Sequence, residues 1–503
     1  MSKAKVLFVS PNPKSMSLLP PVVSIFYGIF RANDIHMKYF DTTFYDLNDH
    51  FTNPEEFLQN NLSVEPYEHD LPCEVTTKKG LDQLLKDFRQ EVENYQPDVI
   101  MISALESTAT LARVMFSSIR DLELPHVLGG VFATFAKSMA LNFPEVDIIC
   151  VGEGEPAIVP LVARLKAGQA LDGLPGIWFK KSNGQIVQNP MVAPVDLDQT
   201  PRFSFEPFED SRCYRAMSGK VYRMFPLETH RGCPCLCTFC NSPLQNDLYK
   251  EETGSKFFRI KSIEKIMEDV RYFVEECNAE YFFFWADNFL AQTRKDIDVF
   301  CEAYSEFKIP FFAQSYPATL DDDKIKKLSE VGLHRIGMGV EHGNEDFRSS
   351  VIKRIYSNER AIENVKILKK YGVQAGCHNI VGFPTETPEL HQDTVTLNRA
   401  LEPNSASCSI FTPFIGTELR KLALEKGYLD DPEILAPSNS ETSILDMPEF
   451  SKEQIAGKSR TFNFYLKFPE NRWKDIERAE EQSHEGDRIF FDLREECLDK
   501  YLM

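Results

Sequence analysis

The sequence predicts an α/β protein with two successive strand-and-helix units and a helical C-terminal extension. In the middle of the chain, short apolar runs with polar tips alternate with helical stretches that end in glycine, such as "NERAIENVKILKKYG". This alternation is typical of a parallel sheet that carries its chemistry at the strand carboxyl ends. Further strand-like runs precede residue 155, and residues 421–503 combine mixed charge with helical spacing. A chain of 503 residues with 43% hydrophobic content can bury two or three cores.

The N-terminal unit is predicted from four strand-like runs. The first, "KAKVLFVSPNP", leads into a proline-rich loop, and the others are "PDVIMISAL" (97–105), "HVLGGVFAT" (126–134) and "VDIICVGEGE" (146–155). Glycines after such strands let a ligand approach the backbone closely. No G-x-G-x-x-G opens a helix after the first strand, so a dinucleotide-binding domain is disfavoured.

Four cysteines fall within eight positions of "RGCPCLCTFCNSP" (231–243). Cys233, Cys237 and Cys240 form a C-x3-C-x2-C pattern, and the chain has no second Cys or His knuckle of the kind that zinc fingers pair. Soft thiolates select iron and sulfide, and a cluster held by three cysteines keeps one iron free for a small molecule. Cys235 lies between these ligands and is expected to pack rather than to bind iron.

The run "ETHRGCPCLCTFCNSP" (228–243) resembles the cluster loop of the radical S-adenosylmethionine (SAM) enzymes, in the branch with an N-terminal cobalamin-binding domain. That branch usually has an aromatic residue where Cys235 stands. The resemblance covers roughly residues 5–420 and implies a Rossmann-like domain followed by a partial (β/α)6 TIM-type barrel. The expected bounds are 1–175 for the cobalamin-binding domain, 176–225 for a linker, 226–420 for the radical SAM barrel and 421–503 for a mostly helical extension.

Two strand tips match positions that lie against SAM in this family. "YFFFWADNFLA" (281–291) ends in Asp287 and Asn288, which the resemblance places near the methionyl end of SAM. "HRIGMGVEHGNE" (334–345) contains Glu341, whose carboxylate is costly to bury unless it has partners. The resemblance implies that Glu341 lies near SAM, and a structural salt bridge is the alternative.

The run "GCHNIVGFPTETPE" (376–389) resembles the family's fifth strand and the turn after it. Strand alternation puts His378, Ile380 and Gly382 on one face. The resemblance makes this face the barrel interior beside the adenosine of SAM. His378 is a candidate substrate or proton contact, or a satisfied core histidine. "SIFTPFIGTEL" (409–419) resembles the sixth strand.

The runs "LGGVFAT" and "VGEGE" resemble corrinoid-domain loops of the same branch. This match places the segment 11–17 in the cobalamin environment. The residues that it assigns to this environment are Pro11, Asn12, Ser17, Ser103, Gly129, Gly130 and Glu153. Many such domains supply a lower axial histidine from Asp-x-His-x-x-Gly, and this chain has no such sequence. We therefore expect no protein nitrogen on the lower face of the cobalt.

The resemblance implies three cofactors, a [4Fe-4S] cluster, SAM and cobalamin. It favours a C-methyltransferase that uses methylcobalamin and a 5'-deoxyadenosyl radical at an unactivated, usually sp3, carbon. A cyclisation or rearrangement with the same cofactors stays open, as does a non-enzymatic carrier. A methylthiotransferase would need three further N-terminal cysteines, and only Cys73 and Cys150 precede residue 200.

Charge and hydropathy limit the partners. The net charge of −20 and the absence of a basic run of five disfavour nucleic acid. The apolar stretch 18–30 is too short for a membrane span, which needs about 20 residues, and contains Pro20 and Pro21. A cytoplasmic location is expected, with a small-molecule or peptide substrate and an electron donor such as flavodoxin or ferredoxin.

Overall fold

The computed structural model describes residues 3–12, 19–47, 59–63, 78–435 and 441–501. In these ranges the chain forms two seven-stranded sheets and two short two-stranded ones. The strands are β1 (Lys5–Val9), β2 (His36–Phe40), β3 (Tyr45–Asp46), β4 (Lys78–Lys79), β5 (Val99–Ser103), β6 (His126–Gly129), β7 (Ile148–Cys150), β8 (Ile177–Lys180), β9 (Ile186–Gln188), β10 (Tyr214–Met217), β11 (Lys220–Glu228), β12 (His230–Arg231), β13 (Arg259–Ile260), β14 (Tyr281–Trp285), β15 (Phe311–Ser315), β16 (Leu333–Glu341), β17 (Gln374–Val381) and β18 (Ser405–Ile410).

Helices connect most of these strands. The α-helices are α1 (Pro21–Ala32), α2 (Leu81–Tyr95), α3 (Ala109–Ser117), α4 (Gly130–Phe135), α5 (Lys137–Asn142), α6 (Ile158–Lys166), α7 (Asn241–Thr253), α8 (Ile263–Glu275), α9 (Arg294–Tyr304), α10 (Asp322–Glu330), α11 (Glu345–Ser350), α12 (Asn358–Lys370), α13 (Pro388–Leu401), α14 (Glu418–Glu425), α15 (Lys452–Lys467), α16 (Trp473–Ala479) and α17 (His484–Tyr501). Single turns of 3-10 helix occupy Thr42–Phe44, Glu106–Thr108, Arg120–Leu122, Leu197–Gln199, Asp210–Cys213, Phe289–Ala291, Pro317–Thr319 and Glu470–Arg472.

The first sheet has the strand order β2-β1-β5-β6-β7-β8-β9. The first five strands in this order, from β2 to β7, are parallel to one another. The hairpin of β8 and β9 adds two antiparallel strands next to β7. Four of the five residues of β1 are buried, as expected for a parallel strand that is covered on both faces. Parallel strands that end at one edge collect their loops there, which makes that edge a ligand-binding position.

The second sheet has the order β10-β11-β14-β15-β16-β17-β18. Its six strands from β11 to β18 are parallel, and β10 pairs antiparallel with β11. Aromatic side chains pack behind the sheet, where the rings of Phe284 and Phe311 stack with centroids 4.3 Å apart. The predicted α/β class, with a partial parallel barrel and a helical C-terminus, is confirmed.

The C-terminal extension lies along β18, the last strand of the barrel sheet. Ser459 of α15 donates from Oγ to the carbonyl of Cys408 at 2.7 Å. Asn463 donates from Nδ2 to the carbonyl of Ala406 at 3.1 Å. Side chains of α15 therefore satisfy backbone groups of an edge strand, which would otherwise be open to pairing with another chain.

The segment 176–225, expected to be a linker, is divided between the two sheets. Its strands β8 and β9 extend the first sheet, while β10 and most of β11 belong to the second. These strands are short and only partly apolar, so their pairing is set by neighbouring strands more than by local pattern.

Two strand expectations need correction, and one further strand had no prediction. The strand expected over 126–134 ends at Gly129, and helix α4 begins at Gly130. β15 was not predicted, and β18 begins at Ser405 rather than near residue 409. In β18 small serines alternate with the apolar residues, which weakens the strand signal.

Candidate functional site

A continuous cavity of about 1690 Å³ runs from the carboxyl edge of the first sheet into the curved second sheet. Single small-molecule sites usually occupy roughly 300–1,000 Å³, so this cavity has room for more than one molecule. The N-terminal unit contributes backbone turns, and the barrel contributes Phe283, Phe312, Gln314 and a row of serines that includes Ser407. Cys240 borders the same space.

The three predicted cluster cysteines lie in the loop 233–240 between β12 and α7, called here the cysteine loop. Gly232 leads into it with φ +83°, and a Cβ atom there would come within 2.8 Å of the Phe257 ring. Cys240 ends it as the N-cap of α7, with Sγ accepting the backbone N–H of Ser242 at 3.4 Å. This N–H and the positive end of the helix dipole favour a thiolate.

Arg354 binds the cysteine loop, although no sequence motif marks it as a site residue. Its Nη1 donates to Cys237 Sγ at 3.2 Å. Burial raises the pKa of the Cys237 thiol to about 11, and the Arg354 guanidinium opposes this rise. Arg354 follows a turn after α11 and lies 117 residues from Cys237 in the sequence. No local sequence pattern could therefore reveal the contact.

The donor set of the cysteine loop fits an iron–sulfur cluster. Within 3–12, 19–47, 59–63, 78–435 and 441–501, no group of three His, Cys, Asp or Glu side chains surrounds a point suited to a single metal ion. Thiolates that each bind a different iron of a cluster need no such shared point. Three thiols on one short loop beside a buried cation therefore suit a [4Fe-4S] cluster.

Asp287 and Asn288 contact the cysteine loop and its helix from the carboxyl end of β14. Asp287 borders the cavity and accepts a hydrogen bond from Ser242 Oγ at 2.9 Å. Burial raises the pKa of its carboxyl group. Asn288 is buried, and its Nδ2 lies 3.7 Å from Cys235 Sγ. Both residues therefore lie beside the cysteine loop and α7, and their predicted contact with SAM stays a prediction.

Glu341 lies at a distortion in β16. The register with β17 shifts between Gly339 and Glu341, and Glu341 has φ +66°. A non-glycine residue in this left-handed region is strained, and such strain clusters at functional sites. Its buried Oε1 is 3.7 Å from Arg354 Nη2, and burial raises its pKa while Arg354 opposes the rise. Arg354 thus connects Glu341 to Cys237.

Of the three residues predicted to share one face of β17, only His378 borders the cavity. Its Nδ1 lies 3.0 Å from Ser407 Oγ, and desolvation lowers its pKa to about 4, so the imidazole is neutral near pH 7. Ile380 is half-buried. Gly382 has φ +86°, and a Cβ atom there would lie 3.0 Å from Ile455 of α15.

The buried carboxylate of Glu386 supports the turn after β17, a role that no sequence motif predicts. Glu386 Oε2 accepts the backbone N–H groups of Gly382 at 2.6 Å and Phe383 at 2.9 Å. Its Oε1 lies 3.3 Å from His342 Nε2 and 3.7 Å from His391 Nδ1. Burial would raise the pKa of Glu386, but the two histidines hold it at about 2. Its only sequence signal is its place in the turn at the end of "GCHNIVGFPTETPE".

The predicted cobalamin residues meet at the carboxyl edge of the first sheet. Gly130 has φ +91°, and a Cβ atom there would lie 2.5 Å from the Ala104 carbonyl. Gly152 has φ +79°. A Cβ atom at Gly152 would lie 2.7 Å from Tyr249 Oη, so glycine keeps both turns tight against the fold. Their backbone borders the cavity, which has room for a large cofactor. Ser17 lies outside the described residues. The predicted residues that border the cavity are Pro11, Asn12, Ser103, Gly129, Gly130 and Glu153.

The carboxylate of Glu153 is bound by the barrel. Arg231 donates from Nη1 to its Oε1 at 2.9 Å, and Arg259 bonds the same oxygen. The backbone N–H of Val195 donates to its Oε2 at 2.8 Å, and the backbone N–H of Glu153 donates to Tyr249 Oη at 2.7 Å. Glu153 therefore connects the N-terminal unit to the strand that leads into the cysteine loop.

Of the described histidines, His230 and His378 border the cavity. His126 is buried away from it, where its ring stacks on Phe116 with centroids 4.5 Å apart. His36 is exposed on β2. The other early histidines, His50 and His69, lie outside the described residues.

Two family models match the chain. The model described as the radical SAM superfamily matches residues 227–397, and the model described as a B12 binding domain matches residues 68–162. The chain therefore combines the domain that uses SAM and a [4Fe-4S] cluster with the domain that binds cobalamin.

Curated relatives and solved structures agree with this combination. An uncharacterized methyltransferase of Pyrococcus horikoshii is 27% identical over 84% of this chain and 90% of the relative. The anaerobic magnesium-protoporphyrin IX monomethyl ester cyclase of Rubrivivax gelatinosus is 26% identical over 66% of this chain and 59% of the relative. The structure of OxsB, a cobalamin-dependent SAM radical enzyme, shares the fold with TM-score 0.66 and 13% identity, over 99% of this chain and 71% of OxsB. No helix in the described part of the chain is long and apolar enough to cross a membrane.

Proposed function

We propose that this chain, which belongs to the cobalamin-dependent radical SAM enzymes, transfers a methyl group to an unactivated sp3 carbon of its substrate. The observation that carries this proposal is the single cavity that joins the glycine-lined edge of the first sheet to the cysteine loop. Two cofactors that act on one substrate must both reach it, and a shared cavity meets that requirement.

The residues of the chain would hold and position these groups. The cysteine loop would bind the cluster, and Asp287, Glu341 and Arg354 would line the SAM site beside it. The turns at Ser103, Gly129 and Gly130 would bind cobalamin. When bound, cobalamin supplies a methyl carrier, and SAM at the cluster supplies a radical able to remove hydrogen from carbon.

The barrel interior presents aromatic and neutral polar groups to a substrate, together with the cation of Arg335. Phe283 and Phe312 stack with ring centroids 4.5 Å apart on the cavity wall. His378 of β17 and Ser407 of β18 form a neutral hydrogen-bonded pair in the same sheet. Such walls hold a substrate by shape and a few hydrogen bonds, which suits a carbon that carries no activating group.

The relatives support methyl transfer over ring formation. The relative named a methyltransferase matches 84% of this chain, whereas the relative named a cyclase matches 66%. Both names concern those proteins, and the shared cofactor domains permit either reaction. The mass of the product decides between them.

The test uses the anaerobically reconstituted chain, a reductant and SAM with a trideuteriomethyl group, supplied with a small-molecule extract. The proposal predicts S-adenosylhomocysteine, 5'-deoxyadenosine and a product that carries the deuterated methyl group on carbon. A product without the label would contradict methyl transfer and favour cyclisation or rearrangement. Cys240→Ala is the control, and it should form no 5'-deoxyadenosine.

A further inference from the structure

We propose that Arg354 is a positioning residue that raises the reduction potential of the cluster and, through the same guanidinium, orients Glu341. The inference rests on the proposed function only in taking the cysteine loop as the cluster site. Arg354 lies 117 residues from Cys237 in the sequence, so the pairing is a product of the fold.

The guanidinium of Arg354 makes two directed contacts. Nη1 donates to Cys237 Sγ at 3.2 Å, and Nη2 donates to the carbonyl of Gly339. Nη2 is also 3.7 Å from Glu341 Oε1. A planar fork can serve a sulfur and a carbonyl at once, which a flexible ammonium cannot do in a fixed geometry.

The surroundings of Arg354 hold the charge in place. Its guanidinium lies 4.4 Å from the centre of the Tyr316 ring, and its backbone N–H donates to the Arg348 carbonyl at 3.0 Å. The residue is 7% exposed. Buried charges are screened less by water and salt than exposed ones, so this cation still acts on its neighbours.

A salt bridge with Glu341 does not account for this arrangement by itself. The carboxylate contact is 3.7 Å, longer than the 3.2 Å contact with the sulfur. Hydrogen bonds and nearby charge at the ligating sulfurs are among the factors that set cluster potentials. A cation beside the sulfur favours the reduced state, which carries one more negative charge after one electron arrives from the reductant.

Lys353 provides a matched control. It precedes Arg354 in sequence, but its ammonium is exposed and paired with Glu418. Its charge is screened by solvent, so its loss should leave the cluster unaffected.

The experiment is a potentiometric titration of the reconstituted full chain with dithionite, followed by electron paramagnetic resonance of the reduced cluster. Arg354→Gln is expected to shift the one-electron equilibrium at least about tenfold towards the oxidised cluster. This shift corresponds to a reduction potential that is more negative by about 59 mV. Lys353→Gln should keep the wild-type potential. Arg354→Lys should have a reduction potential close to the wild-type value, because it keeps the positive charge. It should bind SAM more weakly, because it loses the planar guanidinium.

An iron-replete Arg354→Gln protein with the wild-type potential would overturn the proposal. If that variant takes up no iron, wild-type protein made with 15N-arginine decides the question. Pulsed resonance of its reduced cluster should show a 15N coupling, and its absence would equally overturn the contact. Neither measurement uses substrate, so a product that lacks the methyl label would refute the proposed function and leave this inference standing.

Discussion

The four sulfur atoms of the cysteine loop have different neighbours. Cys237 lies against Arg354, and Cys240 caps a helix. Cys233 is buried, and its carbonyl accepts a hydrogen bond from Asn246 Nδ2 at 2.8 Å. The Cys235 sulfur is reached by the amide of Asn288 at 3.7 Å. At the scale of single residues, the hydrogen bond from the Cys233 thiol lowers the pKa of Cys235 to about 7, so the exclusion of Cys235 from the ligand set stays a prediction.

We predict that Cys233→Ala, Cys237→Ala and Cys240→Ala each abolish SAM cleavage, because each thiolate binds a different iron. Cys235→Ala should retain the cluster. Iron and sulfide analysis, together with the absorbance of the reconstituted proteins, measures how much cluster each variant holds. Loss of iron in Cys235→Ala equal to that in the other three would show that the ligand set is wrong.

Glu341→Gln should weaken SAM binding at least about tenfold, because hydrogen bonds to charged groups contribute roughly 1.5–3 kcal/mol. Asp287→Ala should act in the same direction, since Asp287 borders the cavity beside Ser242. Equilibrium dialysis of iron-replete proteins measures the affinity, and thermal unfolding reports stability. SAM affinity that is unchanged in both variants would remove these residues from the site.

At the scale of elements, helix α15 completes the barrel sheet at its free edge. Asn463 is buried, and it bonds the carbonyls of Ala406 at 3.1 Å and Asn61 at 2.8 Å. One side chain thereby joins the C-terminal extension to the barrel and to the short segment 59–63. Gln59 and Ser63 of this segment border the cavity, so the same contact helps to close it.

Asn463→Ala should therefore lower the free energy of unfolding by about 1–3 kcal/mol, the cost of leaving a buried polar group unpaired. Glu453→Gln, exposed in the first turn of the same helix, should leave the free energy of unfolding close to the wild-type value. Denaturant unfolding of both variants measures the difference. Equal stability in the two would mean that α15 does not depend on this contact.

At the scale of the whole molecule, buried ion pairs hold the two units around the cavity. Glu106 of the N-terminal unit accepts hydrogen bonds from Arg420 at 3.2 Å and from the backbone N–H of Ile415 at 2.8 Å. Glu153 binds Arg231 and Arg259 beside the cysteine loop. The ion pairs of Glu106 and Glu153 both connect the N-terminal unit to the barrel. They fix the orientation of the two units, so the cavity between them forms only when both units are folded together.

We predict that cobalamin binds with no protein nitrogen on the lower face of its cobalt. His126 of the N-terminal unit is buried against Phe116, away from the cavity. Electron paramagnetic resonance of the Co(II) form measures this, because a nitrogen ligand splits the signal. A nitrogen splitting that disappears when one histidine is replaced, with His50 and His69 included in the set, would refute the prediction.

The sequence alone determined the α/β class, because its signals are local spacings within single strands and helices. The cysteine ligand set and the role of Asp287 and Glu341 beside SAM stay predictions, drawn from local motifs and the resemblance that they carry. Only the tertiary structure decided which partners these groups meet. Arg354 reaches Cys237 across 117 residues, and Glu153 binds two barrel arginines although its motif indicated a cofactor contact. The tertiary structure also divided the segment 176–225 between two sheets. The physical reason is that periodicity records which face of an element is buried, whereas ion pairs and strand partners depend on how distant elements pack.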